Sequence, residues 1–196
     1  VVIVPSSKSQ RPWGALVLMG PGANGSRIKH CKMSGGSGLK ADLFEYTAML
    51  SIHDADDVLI SDCLFEENKI TDDMVHAVYS KLKIQRSIFS KAFSDALDID
   101  ISEVEIVDSV FTKNGNDAVD LMTSNAKIFG SLFEANGDKG VSIGEASTLL
   151  AANNRIASNT IGIQAKDNSV AVLYNHTFED NTKALDVYKK NWRYDG

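Results

Sequence analysis

Basic residues are scarce in this sequence: 20 Lys and Arg stand against 26 Asp and Glu, which gives a net charge of −6. A nucleic-acid partner would require a basic stripe, so this class of function is excluded. No apolar run approaches the roughly 18 residues of a membrane-spanning helix, so we expect no membrane span. Cysteine is scarce too, since Cys31 and Cys63 are the only 2. Two thiols are too few for a disulfide framework, and they show no zinc-ligand spacing.

What the sequence has instead is an internal repeat. An apolar residue is followed three positions later by a small or polar residue and, in most copies, five positions later by a bulky apolar one. Such repetition at a short, fixed step predicts a solenoid. The motif begins every 22 residues at Ile84, Ile106, Ile128, Leu150 and Val172, and upstream at Ile60 and Ile28 with steps of 24 and 32.

Within each repeat, apolar and polar residues alternate, as they do from Leu97 to Asp100. A period of two is typical of strands with one buried face. The repeat is too short for a helical crossover between strands, which takes about 30 residues. Three short strands per turn fit it, with successive turns about 4.8 Å apart. We therefore predict an all-β fold, a right-handed parallel β-helix (solenoid) of about seven coils with 22-residue repeats.

We predict a single domain over residues 1–196. Residues 1–47 would form an N-terminal coil or cap with an inserted loop or short helix, because Asp42 and Glu45 have capping-box spacing. Residues 48–187 would form the regular coils, and residues 188–196 a C-terminal exit or cap. Both ends are abrupt for a solenoid, which needs caps, so we expect neighbouring domains in a longer protein from which this one was excised.

Stacking at the repeat step aligns polar residues into rows on the outer face of one strand. One row contains His76, Asp98, Asp120, Ser142, Gln164 and Asp186; a parallel row contains Val78, Asp100, Met122, Gly144 and Lys166. A third row, just before the strand, contains Asp73, Asp95, Asp117 and Lys139. The acids of the middle repeats therefore gather on one patch.

Like charges that oppose each other on neighbouring strands destabilise a sheet, so this acidic patch requires compensation. Calcium would provide it, because Ca²⁺ takes several carboxylate oxygens. Protonation of the acids or the nearby Lys139 and Lys166 are other ways to offset the charge. The alternative is a solvated surface strand, on which Asp only maintains solubility. The candidate calcium ligands are Asp95, Asp98, Asp100 and Asp120.

The two cysteines occupy the same column on adjacent coils. We favour two stacked, buried thiols, because free Cys is among the most buried residue types. A disulfide is the alternative, since the separation of neighbouring coils permits one. The segment 20–25 matches the dinucleotide-binding pattern G-x-G-x-x-G but precedes a strand, so we interpret its glycines as turn residues.

The chain resembles the pectate-lyase-like superfamily of right-handed parallel β-helices. More narrowly, it resembles β-helix repeat domains of large bacterial surface or secreted proteins, some of them beside CotH-like kinase domains. The resemblance covers nearly the whole chain and specifies the fold more than the activity. It is carried by RPWGALVLMG (11–20), NGNDAVDLMTS (114–124), ANGDKGVSIGEAS (135–147) and IGIQAKDNSV (161–170).

The resemblance implies a saccharide groove on the outer face of the first strand of each coil. Substrate would then contact His76, Asp100, Asp117 and Lys166. Lyases of the superfamily pair calcium-holding carboxylates with an Arg or Lys base. The resemblance thus implies that Asp98, Asp100 and Asp120 hold calcium and that Lys139 or Lys166 is the base, with Asp98, Asp120 and Lys139 as the catalytic residues. No Arg lies near the patch, and the G-H-G of polygalacturonase-like hydrolases and the D-P-H of mannuronan epimerases are absent.

Two functions follow as hypotheses. The first is an extracellular, non-catalytic β-helix module that binds polysaccharide or presents an interaction surface. The alternative is a carbohydrate-active enzyme, a uronan lyase, epimerase or glycoside hydrolase, that uses the acidic groove. A hydrolase would need one carboxyl as acid and one as base, for which Asp98 and Asp120 are the candidates. The fold class implies a secreted or bacterial cell-surface location.

Overall fold

A computed structural model describes residues 1–8 and 11–194 as a coil of short strands. Three sheets run along the coil, each contributing one strand per turn, and every pairing within them is parallel. The predicted all-β parallel β-helix is confirmed. Among the described residues, no helix is long and apolar enough to cross a membrane.

The strands are numbered along the chain and grouped here by sheet. The first sheet contains β1 (Val2–Ile3), β4 (Lys32–Ser34), β9 (Leu64–Glu66), β12 (Ile88–Ser90), β15 (Val110–Thr112), β18 (Leu132–Glu134), β21 (Arg155–Ala157) and β24 (Thr177–Glu179). The second contains β2 (Leu16–Met19), β7 (Ala48–His53), β10 (Asp73–Val78), β13 (Asp95–Asp100), β16 (Val119–Met122), β19 (Lys139–Gly144), β22 (Ile161–Lys166) and β25 (Lys183–Tyr188). The third contains β3 (Arg27–Lys29), β8 (Val58–Ser61), β11 (Lys81–Gln85), β14 (Glu103–Val107), β17 (Asn125–Phe129), β20 (Thr148–Ala152) and β23 (Val170–Tyr174).

Columns of identical or similar apolar side chains fill the bore of the coil. The first sheet contributes four phenylalanines whose rings stack at centroid distances of 5.0, 4.7 and 5.1 Å, within 7° of parallel. All four are fully buried, and each ring removes on the order of 150–250 Å² from water. The stack is therefore a major part of the core. Its members are Phe65, Phe89, Phe111 and Phe133.

The bends between strands are stabilised by ladders of small polar side chains. At the bend before the second sheet, Asn136 accepts hydrogen bonds from the backbone N and the Nδ2 of Asn114, at 3.3 and 2.7 Å. Asn136 Nδ2 in turn donates to Phe111 O and to Asn159 Oδ1. Serines form an equivalent ladder at the bend before the third sheet, where Ser102 N donates to Ser124 Oγ at 3.0 Å. Each rung thus satisfies a buried backbone N–H that a bend would otherwise leave without a partner.

The residue before each ladder position adopts a left-handed conformation. Examples are Lys113 with φ 58° and Ala135 with φ 57°, each directly before an asparagine of the ladder. A left-handed residue turns the chain sharply within two positions, which is how three straight strands close into one turn. Gly130, with φ 60°, occupies such a position, where glycine carries no steric cost.

The structure gives about six regular turns with repeats of about 22 residues, where the sequence predicts about seven. The six turns run from β7 to β24. The set β2, β3 and β4 precedes them but is less regular. Its strands have only four, three and three residues, and a 3-10 helix (Pro21–Ala23) interrupts it. The difference between the predicted and the observed number of turns therefore arises at the N-terminal end of the coil.

The uninterrupted step of 22 is wrong at one place. Ile128 lies beside Ala151, not beside Leu150, in the register of β17 and β20. The ladder position after Ser131 is accordingly Asn154, followed by His176, since these side chains accept the backbone hydrogen bonds. The cause is one extra residue at the preceding bend, where both Glu145 and Ala146 have positive φ. Leu150 is consequently turned outward and is 42% exposed.

The insertion in the N-terminal part forms an antiparallel hairpin of β5 (Leu39–Ala41) and β6 (Phe44–Tyr46), not the short helix offered as one alternative. Cys31 and Cys63 are free, buried thiols, as the favoured interpretation had it. At the other end, Asp167 Oδ1 accepts hydrogen bonds from Lys190 N and Asn191 N at 2.7 and 2.6 Å. The hairpin and this C-terminal segment both leave the repeat. The three-part division of the chain at residues 47 and 187 stays a prediction.

We predict that Asn136→Ala lowers the free energy of unfolding by about 3 kcal/mol or more, because several buried groups lose their partners at about 1–3 kcal/mol each. Urea denaturation followed by circular dichroism measures the change. Asn125→Ala, at an exposed strand position, is the matched control and should stay within about 0.5 kcal/mol of the parent. Equal effects of the two substitutions would contradict a structural role of the ladder.

Candidate functional site

The outer face of the second sheet presents one continuous row of polar side chains. The register places His76 beside Asp98, Asp98 beside Asp120 and Asp120 beside Ser142. The row continues through Gln164 to Asp186, and on the other side it begins with Ser51, which the sequence analysis did not include. We call these seven residues the polar row: Ser51, His76, Asp98, Asp120, Ser142, Gln164 and Asp186.

Three of the predicted site residues converge at one end of this row. His76 Nε2 lies 3.3 Å from Asp100 Oδ2 and 3.8 Å from Asp98 Oδ2. The other ring nitrogen, Nδ1, lies 3.2 Å from Thr47 Oγ1. The side chains of His76, Asp98 and Asp100 are 13, 24 and 21% exposed, so they form the floor of a surface site and are accessible to a small ligand. We call these three residues the histidine cluster.

Burial and crowding keep protons on several of the acids. Burial, together with the neighbouring charges of Asp73, Asp100 and Asp120, raises the pKa of Asp98 to about 9. Burial likewise raises the pKa of Asp73 to about 7 against the hydrogen bond from Thr47 Oγ1. Asp98 is therefore a protonated carboxyl group at neutral pH. It can donate a hydrogen bond or a proton to a ligand.

The third predicted row is a structural ladder more than a binding surface. Asp95 Oδ1 accepts hydrogen bonds from Asn116 Nδ2 and from Asp117 N, at 2.8 and 2.7 Å. Asp117 Oδ1 accepts one from Lys139 N at 3.0 Å. The Asp117 carboxylate is only 4% exposed, and burial raises its pKa to about 7 although Lys139 Nζ lies 3.3 Å away. Lys139 also pairs with Asp138 at 2.5 Å, so its ammonium is engaged.

At the C-terminal end of the row, Lys166 lies across the face. Its Nζ donates to Ser142 Oγ at 3.0 Å, and its chain passes over Gly144, where a Cβ would come within 2.6 Å of Lys166 Cε. Gln164 Nε2 donates to Asp186 Oδ2 at 2.9 Å, while its buried Oε1 has no partner. Lys166 is thus a buried cation on the floor of this face and contacts the row, but not the histidine cluster.

The two segments that leave the repeat flank the polar row. At the N-terminal side, the ring of Tyr46 from the hairpin lies 5.4 Å from that of His53, and His53 lies 5.4 Å from His76. Burial, together with the charge of His76, lowers the pKa of His53. At the C-terminal side, Asp167 anchors the segment through Lys190 and Asn191. The row of polar side chains begins at Ser51, whose neighbour on β2 is Val17, and ends at Asp186 on the last strand of the sheet.

The structure separates the four predicted calcium ligands. Asp98 and Asp100 group with His76, with one ligand atom of each residue within 4.8 Å of the others. Asp95 groups instead with Asp72 and Asp73. Asp120 belongs to neither group among the described residues. Calcium at these four residues stays a prediction.

The sequence analysis did not assign Thr47, Ser51 and His53 to the candidate site. They lie in or beside a turn of the coil in which the insertion disturbs the 22-residue spacing.

A concave surface of about 640 Å³ lies on the outer face of the third sheet, away from the polar row. Its charged part contains exposed ion pairs, such as Lys83 with Glu105 at 2.5 Å and Lys81 with Glu103 at 3.3 Å. Exposed pairs of this kind already satisfy each other's charge and contribute little to stability. We therefore take the polar row as the candidate functional site.

Comparison with known proteins supports the fold. A sequence model of the family described as "Right handed beta helix region" matches residues 73–192. No curated protein matches the chain. The structure is similar to that of the periplasmic alginate epimerase AlgG, with a TM-score of 0.57 and 10% identity, over 80% of this chain and 47% of the epimerase.

Two lyases have the same architecture. The alginate lyase from Paenibacillus sp. str. FPU-7 has a TM-score of 0.56 and 11% identity, over 96% of this chain and 78% of the lyase. Pectate lyase Pel9A has a TM-score of 0.54 and 8% identity, over 100% of this chain and 67% of that lyase. Identities this low show a shared fold alone. The chain spans about half of the epimerase, which is the first of these proteins.

The raised pKa of Asp98 predicts how stability depends on pH in protein treated with a chelator. Below about pH 4 both the folded and the unfolded chain hold this proton, whereas at higher pH only the folded chain keeps it. The free energy of unfolding therefore falls as the pH rises toward the folded-state pKa of about 9. Asp98→Asn removes this loss of stability at higher pH.

We expect Asp98→Asn to equal the parent at pH 4 and to be more stable at pH 8 by at least about 1 kcal/mol. Urea titrations at the two pH values measure the difference. Asp108→Asn, on an exposed bend, is the control and should follow the parent at both. A variant that is less stable than the parent at pH 8 would show that Asp98 is ionised and compensated.

Proposed function

The chain belongs to the family of right-handed β-helix regions, and from that premise we propose that it binds a polysaccharide along the polar row. The row is the observation that carries this proposal. It combines hydroxyl, amide, imidazole and carboxyl groups at the strand spacing of about 4.8 Å. A saccharide chain presents hydroxyl groups along its length, and the partly exposed members of the row offer donors and acceptors to it: His76, Asp98, Asp120 and Asp186.

The boundaries of the row support a ligand of limited length. The row ends at Ser51, whose neighbour Val17 is apolar, and at Asp186 on the last strand, so an occupant lies between them across the middle coils. Tyr46 of the hairpin and Tyr188 of β25 offer apolar ring surface beside the polar floor. Sites that orient a ligand by a few polar groups beside apolar surface are common among small-molecule pockets.

The structural neighbours also support a saccharide partner. The printed descriptions of the three similar structures are an alginate epimerase, an alginate lyase and a pectate lyase. By analogy with these structures, we extend polysaccharide as the partner class to this chain. We extend a secreted or cell-surface location to it on the same ground, since one neighbour is described as periplasmic. Neighbouring domains on the same polypeptide stay a prediction.

We predict that Asp98→Ala/Asp120→Ala weakens polysaccharide binding at least about 10-fold, because both residues lie in the middle of the row. The parent is first screened against neutral and uronate-containing polysaccharides by affinity gel electrophoresis. Retarded ligands are then measured by calorimetry with the parent and the variant. Circular dichroism establishes that the variant keeps the coil.

Glu103→Ala/Glu105→Ala is the matched control, because it removes two carboxylates from the outer face of the third sheet. It should bind like the parent. If both double variants lose affinity equally, binding reflects overall charge and the site is not the polar row. Absence of any retarded polysaccharide in the panel counts against the proposal as a whole.

Catalysis is the second candidate function, favoured by the protonated Asp98. A carboxyl group that keeps its proton at neutral pH can act as a general acid. Asp120, its register neighbour one coil away, is the candidate nucleophile, because the spacing of about 4.8 Å between neighbouring strands is near the roughly 5–5.5 Å between the paired carboxyl groups of retaining glycosidases. Lys139 is a weaker candidate base, because its ammonium is held by Asp117 and Asp138.

We predict that, if the groove is catalytic, Asp98→Asn lowers kcat about 100-fold or more, the usual contribution of a general acid. Ultraviolet absorbance of an unsaturated product reports a lyase on a uronan panel, and release of reducing ends reports a hydrolase. Turnover that survives in Asp98→Asn would exclude Asp98 as the acid. Binding without turnover across the panel would leave the non-catalytic module.

A further inference from the structure

We propose that His76, Asp98 and Asp100 bind a divalent first-row transition ion, with Zn²⁺ as the representative. The proposal concerns the histidine cluster alone and does not depend on whether the polar row binds a saccharide. It differs from the sequence prediction in its ligands, because Asp95 and Asp120 are replaced by an imidazole nitrogen.

The spacing of the donor atoms fits such an ion. Bonds from Zn²⁺ to imidazole nitrogen and carboxylate oxygen are about 2.0–2.2 Å, so tetrahedral ligand atoms are about 3.3 Å apart. His76 Nε2 lies 3.3 Å from Asp100 Oδ2 and 3.8 Å from Asp98 Oδ2. Small rotations of the two partly buried carboxyl groups would bring all three atoms into contact with one ion. The opposite ring nitrogen of His76 lies 3.2 Å from Thr47 Oγ1, the outer partner that orients a metal-binding imidazole.

Two buried atoms beside the cluster point independently to a missing ligand. Ser51 is fully buried, lies next to His76 in the row, and its Oγ has no hydrogen-bond partner. His53 packs its ring against that of His76, and its buried Nε2 has no partner either. Buried polar atoms almost always have partners, so two together on one face are unusual. A three-residue site leaves coordination positions for water, and such water would satisfy both atoms.

The cluster lies among further acidic groups. Asp98 is beside Asp120 in the register of the second sheet, and Asp73 is on the neighbouring strand β10. The lysines on this face are directed elsewhere, Lys139 to Asp117 and Asp138, and Lys166 to Ser142. A divalent cation at the cluster would neutralise the pair of ligating carboxylates, which bind a metal in their deprotonated form.

The imidazole decides which class of ion we expect. Calcium and magnesium prefer oxygen donors, whereas imidazole suits zinc and the neighbouring transition ions. The other acidic group, Asp72 with Asp73 and Asp95, contains carboxylates only and has no unpartnered buried atom of its own. For this reason the histidine cluster carries the proposal and the second group does not.

Calorimetry on the full chain, freed of metal with a chelator and dialysed, tests the site with Zn²⁺, Co²⁺ and Ca²⁺ separately. We expect one Zn²⁺ per chain, a melting temperature that rises with Zn²⁺ concentration, and affinity for Ca²⁺ at least 10-fold lower. Co²⁺ should give visible d–d absorption bands, a signature that reports on the ligands without any assay of activity.

His76→Ala and Asp100→Asn should each weaken Zn²⁺ binding at least 10-fold and reduce the Co²⁺ bands. The second of these is isosteric and keeps the test informative if the first fails to fold. His30→Asn is the control for adventitious binding to an exposed histidine, at a left-handed position that Asn tolerates, and should bind like the parent. The proposal is overturned if no ion binds, if Ca²⁺ binds as tightly as Zn²⁺, or if both cluster variants retain the affinity of the parent.

Discussion

Parallel stacking in register is the constraint on which the rest of this structure depends. Each residue lies beside its counterpart one turn away, so every turn must place side chains that can pack against the equivalent side chains of the next turn. In the bore these side chains are apolar, and four phenylalanine rings stack face to face within 7° of parallel. At the bends the stacked side chains both accept and donate hydrogen bonds, as Asn136 does toward the asparagines of the turns before and after it. Like stacked on like is favourable wherever the group is apolar or self-complementary.

The same constraint becomes unfavourable for charge. An outward carboxylate in one turn faces the corresponding position of the next, and β13 carries Asp98 and Asp100 on one strand. The aligned negative charges are compensated in different ways along this face. Asp95 and Asp117 each accept a backbone hydrogen bond from the following turn. Asp98 has no such bond and keeps its proton instead. The candidate site therefore lies where one aligned acid, Asp98, is not stabilised by a backbone hydrogen bond from the next turn.

Much of this could be predicted from the sequence, because register follows from a period that can be counted. The order His76, Asp98, Asp120, Ser142, Gln164 and Asp186 is confirmed pair by pair. Features that come from segments outside the repeat cannot be predicted from its period. The hairpin that brings Tyr46 to His53 forms from inserted residues, and its cross-strand pairing obeys no repeat. Likewise the burial of Asp117 and the engagement of Lys139 depend on side-chain direction, which alignment of columns does not specify.

The extra residue at Glu145 and Ala146 has a consequence for how such a molecule changes over time. In a strand, side chains alternate between core and solvent, so a shift of one position exchanges the two sets. On the third sheet, Lys127 lies beside Leu150 in the outward column, and Ile128 lies beside Ala151 in the buried column. Without the extra residue, Leu149 and Leu150 would exchange places, so the length of the bend decides which of the two leucines is exposed. The second sheet keeps its phase, with Ser142 still beside Gln164. Length variation at the bends of a coil can therefore alter one surface while the opposite one is inherited intact.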